Sequence, residues 1–368
     1  MYLIVTLIFY FTADLFLLKI SKIRFISIFF LYLFLSNCQT KEYNRSDHYD
    51  GSRFHNPNPV EPPSFYFVAK HILFGRNKEW IYDSLEIQEP SPVISNLDKE
   101  NLSITWIGHA TTLIQFGGKN IITDPVWSDT VGLFGFFGPN RAIRPGLSFH
   151  SLPKIDYVLI SHDHYDHTDI PSLMNLRDKF DPIYIVPLGM LELLTENGIT
   201  KAVELDWWNT YQNDTDLQFH LTPAQHNSGR GLFDKNKRLW GSFVIEFQNY
   251  KIFFAGDTAY EDHFTQIYSR IGKIDISILP IGAYEPEEEM RKFHTSPKDS
   301  VQAFLDLQSI YLFPMHYATF NLTRENQTKP VEDLKKAIKS YKLSENKFLI
   351  QKPGEIWQKS LKELRNSN

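Results

Sequence analysis

The run from Ser161 to Asp169 reads Ser-His-Asp-His-Tyr-Asp-His-Thr-Asp, and His162 to His167 within it follow the pattern His-x-His-x-Asp-His. Imidazole nitrogens and carboxylate oxygens suit Zn²⁺ and similar first-row divalent ions. In a tight turn, His162 and His164 can face one ion while Asp166 and His167 face a second. A solvated loop with accidental histidines is the plainer alternative, and it does not account for this order. The run follows Lys154–Ile160, whose apolar and β-branched residues read as a buried strand, and it precedes Ile170-Pro171 and a helical Ser172–Lys179. It therefore sits on a strand-to-helix loop, where a rigid scaffold can aim several side chains at one point.

Three further donors each follow a predicted strand. His226 comes after Leu217–Leu221, Asp257 ends the hairpin strand Lys251–Ala255, and His316 comes after Ile310–Phe313. Singly each has a bland reading, since a lone histidine near a core is usually a satisfied polar residue and Gly256-Asp257 is usually a turn. As an ordered set they complete two ligand groups. His162, His164 and His226 would serve one ion; Asp166, His167 and His316 would serve the other, with Asp257 able to bridge both.

The elements that must position these donors begin at Leu102. Short strands are predicted over Leu102–Trp106, Thr112–Phe116 and Asn120–Thr123, with Gly117-Gly118 as a hairpin turn. Further strands are predicted over Ile183–Val186, Val203–Leu205, Leu239–Phe247, Asp275–Leu279 and Lys347–Ile350. Helices are predicted over Leu188–Asn197, Ala259–Ile271, Pro297–Leu307 and Val331–Ser340. The helix at 297 has Ser296 as N-cap, Pro297 at its first position and Asp299 near the positive end of its dipole. Hairpins mixed with βα units imply sheets held between helical layers, an α/β architecture.

Before this domain, expected over 101–355, lie two segments of other character, and 356–368 is expected to be a tail. Residues 1–38 contain Lys19, Lys22 and Arg24 and then the apolar run Phe25–Leu35, of signal-peptide length and too short to span a bilayer comfortably. Cys38, the only cysteine, follows Leu35-Ser36-Asn37. This resembles a bacterial lipoprotein signal with Cys38 lipidated, although Asn37 departs from the small residue usual before that cysteine; an uncleaved anchor or an over-extended start are the alternatives. Either signal implies export to the bacterial periplasm or outer envelope, with the body held at the membrane. Residues 39–100 read as a tether and a Pro-rich arm that packs on the domain. His48, His55 and His71 lie there without ligand spacing and read as surface histidines. A net charge of −5 without a long basic run argues against nucleic acid as a partner.

The ordered ligand set resembles that of the metallo-β-lactamase-fold hydrolases, which implies an αββα four-layer sandwich with a two-metal site between the sheets. The resemblance assigns His162, His164 and His226 to the first metal, Asp166, His167 and His316 to the second, and Asp257 to both. Thr105–Thr111, Thr123–Trp127, Phe137–Arg141, Gly256–Thr258, Pro280–Pro286 and Phe293-His294 are similar to the branch containing N-acyl-phosphatidylethanolamine-hydrolysing phospholipase D and L-ascorbate-6-phosphate lactonase. Arg53–Pro57 and His226–Arg230 favour the phospholipase side.

What this implies is a phosphodiesterase that needs two divalent ions, most naturally Zn²⁺, with Mn²⁺ or Fe²⁺ as alternatives. Ions about 3.5–4 Å apart can share a hydroxide that attacks phosphorus. Asp166 and Asp257 would orient it or accept its proton, and His294 would touch the substrate phosphate or assist proton transfer. His109 is expected to buttress the site, and His220 and His263 to be structural. Val131–Gly138, with Phe134, Phe136 and Phe137 among glycines, is expected to line an acyl groove, dip into a membrane, or pack on the arm. A lactone or small phosphoester substrate is the enzymatic alternative, and a non-catalytic metal-binding surface lipoprotein is the alternative of another class.

Overall fold

A computed structural model describes residues 43–59, 77, 79–82, 97–133, 135, 137–213, 216–231 and 233–366. The expected signal segment, Cys38, His71, Phe134 and Phe136 lie outside the described residues. Residues 45 onward form one unit. Among the described residues no helix is long and apolar enough to cross a membrane.

The strands are β1 (Asn101–Gly108), β2 (Thr111–Phe116), β3 (Lys119–Thr123), β4 (Tyr157–Leu159), β5 (Ile183–Pro187), β6 (Ala202–Leu205), β7 (Thr210–Gln212), β8 (Leu217–Thr222), β9 (Ser242–Phe247), β10 (Tyr250–Phe254), β11 (Ile276–Pro280), β12 (Tyr311–Met315) and β13 (Ile356–Ser360). The helices are α1 (Ile170–Phe180), α2 (Met190–Glu196), α3 (His263–Ile271), α4 (Glu287–Met290), α5 (Pro297–Asp306), α6 (Lys329–Ser340) and α7 (Leu361–Arg365). One sheet runs β13-β1-β2-β3-β4-β5-β6 and the other β12-β11-β10-β9-β8-β7. Each combines antiparallel hairpins with parallel strands at the βα units, which is the mixture that the element pattern implies.

The inner faces of the sheets meet through aromatic side chains. Phe116 of β2 packs edge-on against Phe247 of β9 with ring centres 5.7 Å apart, and Tyr157 of β4 meets Phe219 of β8 at 4.7 Å. The opposite face of the first sheet, with Leu113, Ile122 and Val158, packs on Leu173 and Leu176 of α1 and on Met190 and Leu194 of α2. Helix α5 buries Val301, Ala303 and Phe304 and packs beside β11 and α6. Both faces of β2, β11 and β12 are therefore covered, which is why they read as nearly continuous buried runs. The result is the four-layer αββα sandwich of the metallo-β-lactamase fold.

Three expectations are corrected. The segment after residue 355 is no tail: β13 pairs antiparallel with β1 from Asn101↔Ser360 to Thr105↔Ile356, and α7 buries Leu361 and Leu364. Its half-exposed edge position hides the alternation by which a strand is recognised. Lys347–Ile350 is no strand but a 3₁₀ turn at Glu345–Lys347 followed by a single bridge, Leu312↔Phe348. His48 is not a surface histidine. It is 6% exposed, stacked on Trp207 at 4.4 Å, with Nδ1 2.6 Å from Asp47 Oδ1 and Nε2 2.7 Å from Asp206 Oδ1.

His48 belongs to a strap, residues 45–59, laid over the 228–238 loop. Phe54 is buried, and its N–H donates to Asn236 O at 2.8 Å. Both His48 nitrogens face carboxylate oxygens, so both donate only when the ring is protonated. Burial opposes that charge, but the hydrogen bonds and charges of Asp206 and Asp47 outweigh it and raise the pKa above 6.5. Among the described residues of Val131–Gly138, Val131 N–H donates to Pro139 O, and Leu133 and Phe137 exchange both backbone hydrogen bonds, each at 3.1 Å.

Ending the chain at Glu355 will uncover the β1 edge and remove two buried leucines, worth roughly 3–6 kcal/mol together; the urea midpoint should fall accordingly. Replacing His48 by Gln should cost stability below pH 6.5, where the raised pKa contributes in full, and the difference should vanish as pH rises through that raised value. Urea midpoints of both proteins across pH check the sign.

Candidate metal centre

Every predicted donor leaves the end of a strand or the loop behind it. The 161–169 run follows β4, His226 follows β8, Asp257 follows β10 and His316 follows β12. The 161–169 loop is wound into a turn by Thr168 N–H and His167 N–H on His164 O and by Thr168 Oγ1 on His162 O at 2.7 Å. Its tight winding places His162 and His164 in one group of donors and Asp166 and His167 in the other. Gly256 lets the next strand come close: its φ is +58°, and a Cβ there would lie 2.4 Å from that of Ser161.

The structure brings the seven predicted donors into one cup. Ligand atoms of His162, His164 and His226 lie within 4.8 Å of one another, and so do those of His109, Asp166, His167 and His316. Asp257 stands between the groups. Its Oδ2 is 3.3 Å from His167 Nε2 and 3.8 Å from His226 Nε2, and its Oδ1 is 3.1 Å from His316 Nε2.

Tautomers follow from what each ring touches outside the cup. Asp124 accepts from Ser161 N–H at 2.7 Å, Ser161 Oγ–H at 2.6 Å and His167 Nδ1–H at 2.7 Å. Burial raises its pKa, and the three donors aimed at its two oxygens oppose that rise. Ser161 has spent its proton on Asp124, so it accepts from His162 Nδ1–H at 2.9 Å. His226 Nδ1–H donates to Phe293 O at 2.8 Å. In their neutral form, His162, His167 and His226 therefore present Nε2 lone pairs to the cup.

This donor set fits divalent cations. His162 Nε2 and His226 Nε2 lie 2.9 and 3.3 Å from His164 Nδ1, and one proton can satisfy only one of those contacts. Ligand nitrogens about 2.0 Å from a tetrahedral ion are separated by about 3.3 Å. Among the described residues, none forms a hydrogen bond of good geometry with the buried His167 Nε2, Asp257 Oδ1 or His316 Nε2. Burial, reinforced by the neighbouring rings, holds His162 and His226 well below the ordinary histidine pKa, so both rings are neutral. Burial also opposes charge on Asp166 and Asp257, but the surrounding histidines, His167 foremost, hold both well below the carboxylate range. Against burial, Asp257 draws positive charge toward its neighbours, raising His316 to about 9 and His167 well above its ordinary value. That same negative field favours a metal ion.

His109 does more than fill space. Burial depresses its pKa to about 3, and its neutral ring donates from Nε2 to Asp166 Oδ2 at 3.0 Å. His294 stands at the rim, with Nδ1 3.6 Å from Asp257 Oδ2, and burial lowers its pKa to about 4. The helix start beside it offers no anion site at the N-cap, because Asp299 accepts from Ser296 N–H at 3.1 Å and from Ser296 Oγ–H at 2.8 Å in a capping box. His220 and His263 lie away from the cup, on Thr210 and Thr258 respectively.

The sequence reading singled out neither Asp124 nor Asn56 for a role. Thr123-Asp124-Pro125 was a signal for the first, since a carboxylate straight after a buried strand needs donors. The second had none that spacing could supply.

The β-lactamase superfamily domain matches residues 119–317, a stretch holding all seven predicted ligands. N-acyl-phosphatidylethanolamine-hydrolyzing phospholipase D 1 of Caenorhabditis elegans is 32% identical over 333 residues, covering 84% of this chain and 94% of that protein. The mitochondrial N-acyl-phosphatidylethanolamine-hydrolyzing phospholipase D of Saccharomyces cerevisiae is 37% identical over 236 residues, covering 62% of this chain and 50% of that one. Among solved structures, the metallo hydrolase Igni18 of Ignicoccus hospitalis superposes with a TM-score of 0.55 at 20% identity, covering 71% of this chain and 99% of that chain, a likeness of fold.

Replacing Asp124 by Asn should reduce metal affinity about 10–100-fold, because an amide cannot accept from all three donors that fix His162 and His167. Chelator competition on the folded variant measures it.

Proposed function

The chain belongs to the β-lactamase superfamily, and from that premise we propose that it is a phospholipase D-like phosphodiesterase acting on a phospholipid of the N-acyl phosphatidylethanolamine type. The observation that carries the reading is the convergence of His162, His164 and His226 with Asp166, His167 and His316 around Asp257. The donor chemistry favours zinc, with manganese or iron compatible. Two divalent ions supply Lewis acidity and lower the pKa of water toward neutrality.

The chain's own part is to hold and orient. Asp166 and Asp257 remain carboxylates, so they accept hydrogen bonds from the attacking water and turn its lone pair toward the substrate. His109 keeps Asp166 from rotating. His294 is neutral and partly exposed, and offers a ring N–H to a phosphate oxygen. In-line displacement then breaks the P–O bond to the head-group alcohol or to glycerol; phospholipase D chemistry breaks the former.

An apolar rim supports a lipid substrate. Tyr165, between His164 and Asp166, packs with Val126, Val131 and Phe320, and its hydroxyl donates to Arg230 O at 2.8 Å. The two loops it thereby joins carry the exposed apolar side chains Leu133 and Phe137 on one and Phe233 on the other, the last 82% exposed. We extend the proposal to an envelope location with Cys38 lipidated, which would hold this rim near its substrate; the 25–38 sequence supports it.

Metal-loaded protein should hydrolyse N-acyl phosphatidylethanolamine in preference to phosphatidylethanolamine, a lactone or bis-p-nitrophenyl phosphate, and His164→Ala should lose more than about 100-fold. A lactone turned over faster than any phosphodiester would replace this reading, and equal rates in the variant would remove the assigned centre.

A further inference from the structure

The strap lies outside the stretch that the superfamily domain matches, yet one of its side chains is built into the centre. Asn56 is 7% exposed, and its amide forms a two-point pair with the main chain of His226. Nδ2 donates to His226 O at 2.8 Å, and Oδ1 accepts His226 N–H at 3.2 Å. Oδ1 also accepts Trp240 Nε1–H at 3.1 Å, which fixes the amide's orientation. A side-chain amide presents a donor and an acceptor side by side in one plane, and so can pair with both polar groups of one residue's main chain.

His226 is held from outside at two places. Phe293 O fixes the rotation and tautomer of its ring, and Asn56 fixes the backbone from which the ring hangs. Gln225 and Ala259 add a bridge on the preceding residue, whose side-chain Nε2 donates to Asn58 O at 2.9 Å. The strap is in turn anchored by the buried Phe54 and by His48 between its two carboxylates.

We propose that Asn56 is a positioning residue of the metal centre: it holds His226 in register with His162 and His164, so that the N-terminal strap helps set how tightly the first ion is bound. The proposal rests on the metal-hydrolase reading above. It assigns Asn56 no contact with substrate or metal.

The test compares full-length wild type, Asn56→Ala and Leu334→Ala, the last removing a buried side chain of α6 as a reference for a purely global loss of stability. Zn²⁺ affinity is read site by site against a chelating dye, and the ligand field by the visible spectrum of the Co²⁺-loaded proteins. The expected result is that Asn56→Ala weakens one of two ions about 10–100-fold and alters the Co²⁺ spectrum, while Leu334→Ala lowers the melting temperature and leaves both readouts unchanged. If Asn56→Ala fails to fold, Asn56→Gln, with the same polar groups one methylene further out, is read the same way. Two ions bound by the folded variant with wild-type affinities and spectrum would overturn the proposal. A wild type that binds no metal would instead overturn the metal-hydrolase reading on which it stands.

Discussion

The outward-facing hydrogen bonds of His162, His167 and His226 are the interactions on which the centre depends. His164 Nδ1 lies 2.9 and 3.3 Å from His162 Nε2 and His226 Nε2, and because one proton can satisfy only one of these contacts, the inside of the cup leaves the rings' orientation undetermined. Orientation is supplied from behind, by Ser161 for His162, Asp124 for His167 and the Phe293 carbonyl for His226. Asp124 is the node, since it holds His167 directly and His162 through Ser161. Removing one such partner frees a ring and also leaves a buried polar group unpaired, which costs about 1–3 kcal/mol.

Backbone geometry around the cup carries the strain this implies. His109, Asp124 and His316 all have positive φ, at 53°, 32° and 59°, where side chains with a Cβ are disfavoured. Conformations of this kind cost about 1–3 kcal/mol each and persist where surrounding structure over-determines them. Here the hydrogen bonds do so: His316 N–H donates to His109 O at 3.0 Å, and His109 N–H to Thr319 Oγ1 at 2.7 Å. The flanking strands β1, β3 and β12 are buried and fix the points from which these residues depart.

How much of this is legible in the sequence follows from the range of each interaction. The His-x-His-x-Asp-His loop is legible because its donors are neighbours along the chain. His226, Asp257 and His316 are legible because each follows a recognisable run of strand residues. Most strands and helices follow from apolar periodicity and from caps such as Ser296. Partners chosen by tertiary proximity leave no such trace: Asn56 meets His226 far along the chain, and His48 looks like any polar-segment histidine until Trp207 and Asp206 close on it. Edge strands are faint for a related reason, since β7 is only three residues long and β13 has no fully buried residue and no strict alternation.

The pairing of β13 with β1 bears on how the molecule is made. The first strand of the domain leaves the ribosome long before the strand that covers its open edge. Throughout that interval a long, largely apolar ribbon presents unpaired amides and carbonyls, an invitation to association with other nascent chains. Completion of the first sheet therefore waits on the synthesis of Ile356–Ser360.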